Sequence, residues 1–170
     1  IYTPFRLARL VSFRDPFAPE FELSSGWQLS NALIGIGRGD LFGIGLGNSI
    51  QKNLYLPEPH TDFIFAIILE ETGIIGGFLL MLLFILLITS IVQISFDALR
   101  QNRLFQGYVC FGIGSLLSIQ SIFNIGVNIG LLPTKGLTLP FISYGGASLI
   151  IFMLMMGIVF RVDFENRNLD

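Results

Sequence analysis

Residues 54–88 read LYLPEPHTDFIFAIILEETGIIGGFLLMLLFILLI, and the two halves of this stretch carry different information. The second half belongs to an uncharged apolar run from Thr72 to Ile94. It meets the roughly 20 residues needed to cross about 30 Å of hydrocarbon as a helix, so the expected fold class is all-α integral membrane. The first half places a proline-bracketed turn, the single histidine His60 and Asp62 just ahead of an apolar helix bearing Glu70 and Glu71. Carboxylates are expensive near lipid, which makes Asp62, Glu70 and Glu71 functional-site suspects.

Composition agrees with a lipid solvent. Charged residues make up 13% and hydrophobic residues 52% of the 170, against roughly 25% charged in ordinary soluble domains, and the mean hydropathy is +0.72. A formal charge of -2 offers no broad basic surface and argues against nucleic-acid binding. Cys110 is the only cysteine, which excludes an intrachain disulfide and a thiolate metal cluster. The chain opens on Ile1 with no cleavable leader, and it reads as part of a longer protein.

Two further spans follow, Phe105 to Leu132 and Phe141 to Phe160. Within the first, Ser121, Asn124 and Asn128 recur at helical spacing and predict a face that packs on protein. The other opens with Ser143-Tyr-Gly-Gly-Ala-Ser148, small residues that let helix backbones approach. Arg100 and Arg103 lie after the first span and Arg161 and Arg167 after the third, whereas the loop between the second and third carries only Lys135. By charge bias the arginine-bearing ends face the cytoplasm. This divides the chain into an extracytoplasmic loop region, 1–61, and a three-helix transmembrane region with a cytoplasmic tail, 62–170.

The long outer segment is broken by Asp15-Pro16, Ala18-Pro19 and Ser24-Ser25-Gly26, and then by glycines at 35, 37, 39, 43, 45 and 47. A short amphipathic helix is expected from Trp27 to Ile36. The glycine spacing gives neither G-x-G-x-x-G nor G-x-x-x-x-G-K-[ST]. Flexibility, or close packing of a re-entrant loop against protein, is the remaining reading. Arg38-Gly39-Asp40 is a three-residue match to an adhesion motif that chance supplies easily.

Asp62 can cap the helix that follows it, satisfying free backbone amides at the positive end of the dipole. It can also serve as a general base at the membrane surface, and the two roles can coexist. Glu70 and Glu71 differ by about 100° in azimuth, while Glu70 and Asp62 project to broadly the same side about 12 Å apart. Direct proton sharing is therefore disfavoured. Cavity lining or pairing with a cation suits Glu70, a packing interface suits Glu71, and salt bridging is the simple alternative for both. His60 has no metal-ligand companions and reads as a supporting hydrogen-bonding residue.

Three stretches together, Gly45–Lys52, Leu54–Gly73 and Leu132–Gly146 (LPTKGLTLPFISYGG), closely resemble the C-terminal part of the SEDS (shape, elongation, division and sporulation) family of membrane glycosyltransferases. Gln51-Lys52 and Pro133-Thr134-Lys135-Gly136 resemble its division branch rather than its elongation branch. The resemblance implies the last three transmembrane helices of a ten-helix SEDS-type bundle, preceded by a long extracytoplasmic loop. It also implies a peptidoglycan glycosyltransferase that polymerises lipid II for septal wall synthesis in the bacterial plasma membrane, with Asp62 matching the aspartate essential to polymerisation. Arg38, Lys52, His60, Glu70 and Lys135 become candidate substrate contacts, because a pyrophosphate leaving group needs cationic or metal stabilisation; headgroup contact is the plain alternative for the three cations. A divalent cation, Mg or Mn, is implied without a visible ligand set. The implied partners are a class B penicillin-binding transpeptidase and other division proteins. A lipid II flippase, or a noncatalytic scaffold, is the rival function.

Overall fold

The computed structural model describes residues 26–51, 61–133 and 136–168; the turn signals read in residues 1–25 lie outside them. Four helices run in order, α1 (Trp27–Gly39), α2 (Ile64–Arg100), α3 (Leu104–Asn128) and α4 (Gly146–Asn168). The last three are each long and apolar enough to cross a membrane, as their hydropathy predicts. No strand occurs among the described residues. α1 runs three residues beyond the expected Trp27–Ile36 and packs on α2 and α3.

α2 is two helical arms joined at Gly73, where φ 73° and ψ −174° interrupt the helix. Such a break frees carbonyls on one side and amides on the other, and neither can stay unpaired beside lipid. The turn after α1 supplies both sets of partners. The amides of Ile44 and Gly45 donate to the carbonyls of Glu70 and Glu71 at 3.1 Å each. In return, the amides of Ile74 and Ile75 donate to the carbonyls of Asp40 and Leu41 at 3.0 and 3.3 Å. Backbone must lie on backbone for this exchange. A Cβ on Gly43 would strike the Glu71 carbonyl and one on Gly73 the Leu41 carbonyl, and both residues have positive φ. The glycine run thus packs a loop against protein, as expected. The break at Gly73 is a finding the apolar pattern does not announce, because hydrophobicity continues through it.

α2 and α3 end in the same way. Asn102 (φ 60°) and Gly130 (φ 73°) adopt the left-handed conformation just past the helix ends, and Arg103 N–H and Leu131 N–H reach back to the carbonyls of Ala98 and Gly126. This is the Schellman arrangement that satisfies terminal carbonyls. α4 begins five residues later than the expected Phe141, because residues 139–143 form a turn with Phe141 at φ 65°. It also continues beyond Phe160, where the Arg161–Glu165 and Arg167–Asp163 pairs, at 2.8 and 3.0 Å, support an exposed polar extension.

Ile91, Ala98, Cys110, Ile113, Leu117, Phe152, Val159 and Val162 form one core between α2, α3 and α4. At the other end of the bundle, Phe63 and Ala66 pack with Ala32 and Val127, and Phe65 and Leu69 pack with Phe84 and Leu139. These two clusters seat the start of α2, and Asp62 with it.

Candidate functional site

The start of α2 is held from outside itself. Its N-cap is Phe63, whose side chain cannot accept a hydrogen bond. The amide of Ala66, which a capping side chain ordinarily satisfies, donates instead to Asn128 Oδ1 at 3.0 Å. Capping of the Ala66 amide is therefore supplied across the helix pair. Asp62 lies one residue before the N-cap.

The polar face of α3 converges on the Asp62 backbone. Asn124 Nδ2 and Asn128 Nδ2 donate to the Asp62 carbonyl at 3.1 and 2.9 Å. Asn124 also donates to the Leu137 carbonyl, and Gln120 Nε2 donates to the Thr138 carbonyl at 3.0 Å. Ser143 Oγ accepts from the Leu139 amide at 2.7 Å and donates to the Thr61 carbonyl at 2.6 Å. The loop from Gly136 to Ser143 is thereby tied to residues 61 and 62. A Cβ on Gly136 would lie 3.2 Å from Asp62 Oδ2, so glycine there lets the loop approach the carboxylate closely. The packing face expected at Ser121, Asn124 and Asn128 is present, with all three residues buried. Its target, the carbonyl next to the candidate base, was not predicted.

Glu70 occupies a second polar cluster. It is fully buried, accepts from Ser49 Oγ, and accepts from the Ile50 amide at 3.3 Å. Its carboxylate thus anchors the Gly45–Gln51 loop to α2. Glu71 points elsewhere, as the azimuth argument requires, and its Oε1 is buried without a hydrogen-bond partner among the described residues. Arg38 is exposed at the end of α1 and forms no ion pair among the described residues. Lys52, His60 and Lys135 lie outside the described residues. Asp62 is therefore brought to Gly136 and the asparagine pair, whereas Glu70 is brought to Ser49. An apolar groove of about 580 Å³ between α2 and α3 is lined by Met81, Phe84, Ile125 and Leu132. No titratable side chain lines it.

The FtsW/RodA/SpoVE cell cycle protein family matches residues 1–168. The chain belongs to this family. It is 54% identical over 168 residues to a probable peptidoglycan glycosyltransferase FtsW of Coxiella burnetii, covering 99% of this chain and 45% of that protein. It is 55% identical over 163 residues to the equally named protein of Marinomonas mediterranea, covering 96% and 40%. A solved structure described as a peptidoglycan synthase complex that coordinates polymerization and crosslinking is similar with a TM-score of 0.70 at 28% identity. That match covers 98% of this chain and 44% of the solved chain. The chain spans a little under half the length of the relatives it matches. Family membership and the three apolar helices make it a multi-pass membrane protein.

Proposed function

We propose that this chain carries the base of a peptidoglycan glycosyltransferase that joins lipid II units into glycan strands for septal wall synthesis. The observation that carries the reading is the junction at Asp62. There a carboxylate precedes a membrane helix whose Ala66 amide is held by Asn128, and it lies against the loop that includes Gly136. Relatives about 50% identical over nearly the whole chain bear the name of that enzyme, which supports the same reaction here.

In the proposed reaction Asp62 takes the proton from an acceptor sugar hydroxyl, as a general base must. The hydroxyl oxygen forms a bond to the anomeric carbon of the growing strand. The bond from that carbon to undecaprenyl pyrophosphate breaks, the electron pair leaves on the pyrophosphate, and the carbon inverts. Arg38, Lys52, His60 and Lys135 are proposed to face the pyrophosphate or the sugars, and Glu70 to act there through the Gly45–Gln51 loop. The described residues do not fit a resident metal centre, since no three His, Cys, Asp or Glu side chains come together among them. A Mg or Mn ion is proposed to travel with the pyrophosphate oxygens, in the way Mg²⁺ often binds through substrate phosphates and few carboxylates. The proposed setting is the bacterial plasma membrane at the division septum, with residues 1–61 and the 136–143 loop outside. A class B penicillin-binding transpeptidase and other division proteins are the proposed partners.

Asp62→Asn in the full-length protein tests this reading. A general base contributes about 10²- to 10⁴-fold, so glycan product from lipid II falls at least about 100-fold. Abundance and thermal midpoint are maintained, because the Ala66 amide keeps its bond to Asn128. Near-normal polymerisation by Asp62→Asn would remove Asp62 from the mechanism, and lipid II translocation without polymer would favour a flippase.

A further inference from the structure

We infer that Asn124 and Asn128 are positioning residues for the polymerase base, an assignment that rests on the role proposed for Asp62. The two side chains stand one helical turn apart on one face of α3, 1% and 0% exposed. Burying two primary amides between apolar helices is costly unless their bonding capacity is met. Asn128 meets it: Oδ1 accepts from Ala66 N–H, and Nδ2 donates to the Asp62 and Asn124 carbonyls. Asn124 divides its donors between the Asp62 and Leu137 carbonyls.

The geometry turns these bonds into control of the carboxylate. Two donors on one carbonyl oxygen use both of its lone pairs and fix the plane of the peptide leaving Asp62. The Asp62 side chain therefore projects from a main-chain position that Asn124 and Asn128 fix. The same Asn124 holds Leu137, the neighbour of Gly136, against which Asp62 Oδ2 lies. One side chain therefore sets both the direction of the base and the position of the wall it faces. Asn128 contributes a second service, since its bond to the Ala66 amide fixes the first turn of α2 beside Asp62.

The experiment compares Asn124→Ala, Asn128→Asp and Asn128→Ala in the full-length protein with its transpeptidase partner. Lipid II polymerisation is measured per folded molecule, with kcat and KM separated and thermal midpoints recorded. An aspartate at 128 still accepts from Ala66 N–H but presents oxygen to the Asp62 carbonyl, so it keeps the cap and loses the clamp. Misplacing a catalytic group by about 1 Å can cost about 100-fold, and that loss is expected in kcat for Asn124→Ala and Asn128→Asp. KM is expected to stay within about threefold, the pattern of an interaction made in the transition state. Asn128→Asp is expected to melt above Asn128→Ala. Unchanged kcat per folded molecule in either Asn124→Ala or Asn128→Asp overturns the inference, and so does a loss confined to KM. Asp62→Asn is assayed alongside. If it is inactive while the asparagine variants turn over normally, only the positioning role fails; if it is active, the base assignment fails first.

Discussion

The two ends of the helix bundle are held by different means. Around Asp62 most of the side-chain hydrogen bonds end on non-helical backbone, at the carbonyls of Thr61, Asp62, Leu137 and Thr138 and the amide of Leu139, with Asn128 also bonding the helical groups of Ala66 and Asn124. Around Arg100 they join helix to helix or turn to helix, as Ser95 Oγ does to the Gly107 carbonyl and Asn166 Nδ2 to the Ile94 carbonyl. There the apolar core of Ile91, Leu117, Phe152 and Val159 does most of the packing. A helix pairs its own backbone, so packing suffices to place it. A loop at the membrane boundary has no such ladder and needs polar side chains from its neighbours. The end that needs a fixed loop is the one carrying the candidate base.

Substitutions can break or sharpen this contrast. The largest stability effect is expected at the crossing between the loop and broken α2. In Gly73→Ala, a positive φ and a collision with the Leu41 carbonyl combine strain of about 1–2 kcal/mol with overpacking of about 1–3 kcal/mol. Thermal midpoint and protease resistance in detergent should both fall sharply, and wild-type stability in this variant would mean the crossing is not rigid. Next comes Ile91→Ala in the apolar core, which should cost about 2 kcal/mol through the cavity left while leaving polymerisation per folded molecule unchanged. Ser143→Ala should cost less stability, about 1–2 kcal/mol for an unsatisfied carbonyl and amide. It should nevertheless lower turnover about tenfold by loosening Thr61 beside Asp62. If Ile91→Ala and Ser143→Ala shift activity in proportion to stability, the two ends do not differ in the way described. The smallest effect is expected for Phe160→Ala, 64% exposed on the apolar face of α4, at under about 0.5 kcal/mol.

The membrane helices were legible because apolar length is a direct record of hydrocarbon thickness. Their ends were less so. The third helix was expected to start at Phe141, yet the turn at 139–143 depends on Ser143 bonding to residues 61 and 139, contacts that no local pattern encodes. Asn124 and Asn128 announced a buried face through their spacing, but spacing names no partner across a separation of more than 60 residues. Glu70 was read as a substrate or cation contact. The structure gives it Ser49 and Ile50 as partners, a loop anchor that only tertiary proximity reveals. Asp62 was marked as a candidate both by its place before an apolar helix and by the family motif around it.

The crossing of residues 40–45 with residues 70–75 uses main-chain groups on both sides. The chemical identity of Leu41, Ile44, Ile74 or Ile75 is therefore free to drift under this constraint, but the count of residues is not. Deleting one residue between Asp40 and Gly45 would offset the amides of Ile44 and Gly45 from the carbonyls of Glu70 and Glu71, stranding several polar groups at the break in α2. What selection guards in this segment is distance along the chain, so insertions and deletions should be rarer there than substitutions.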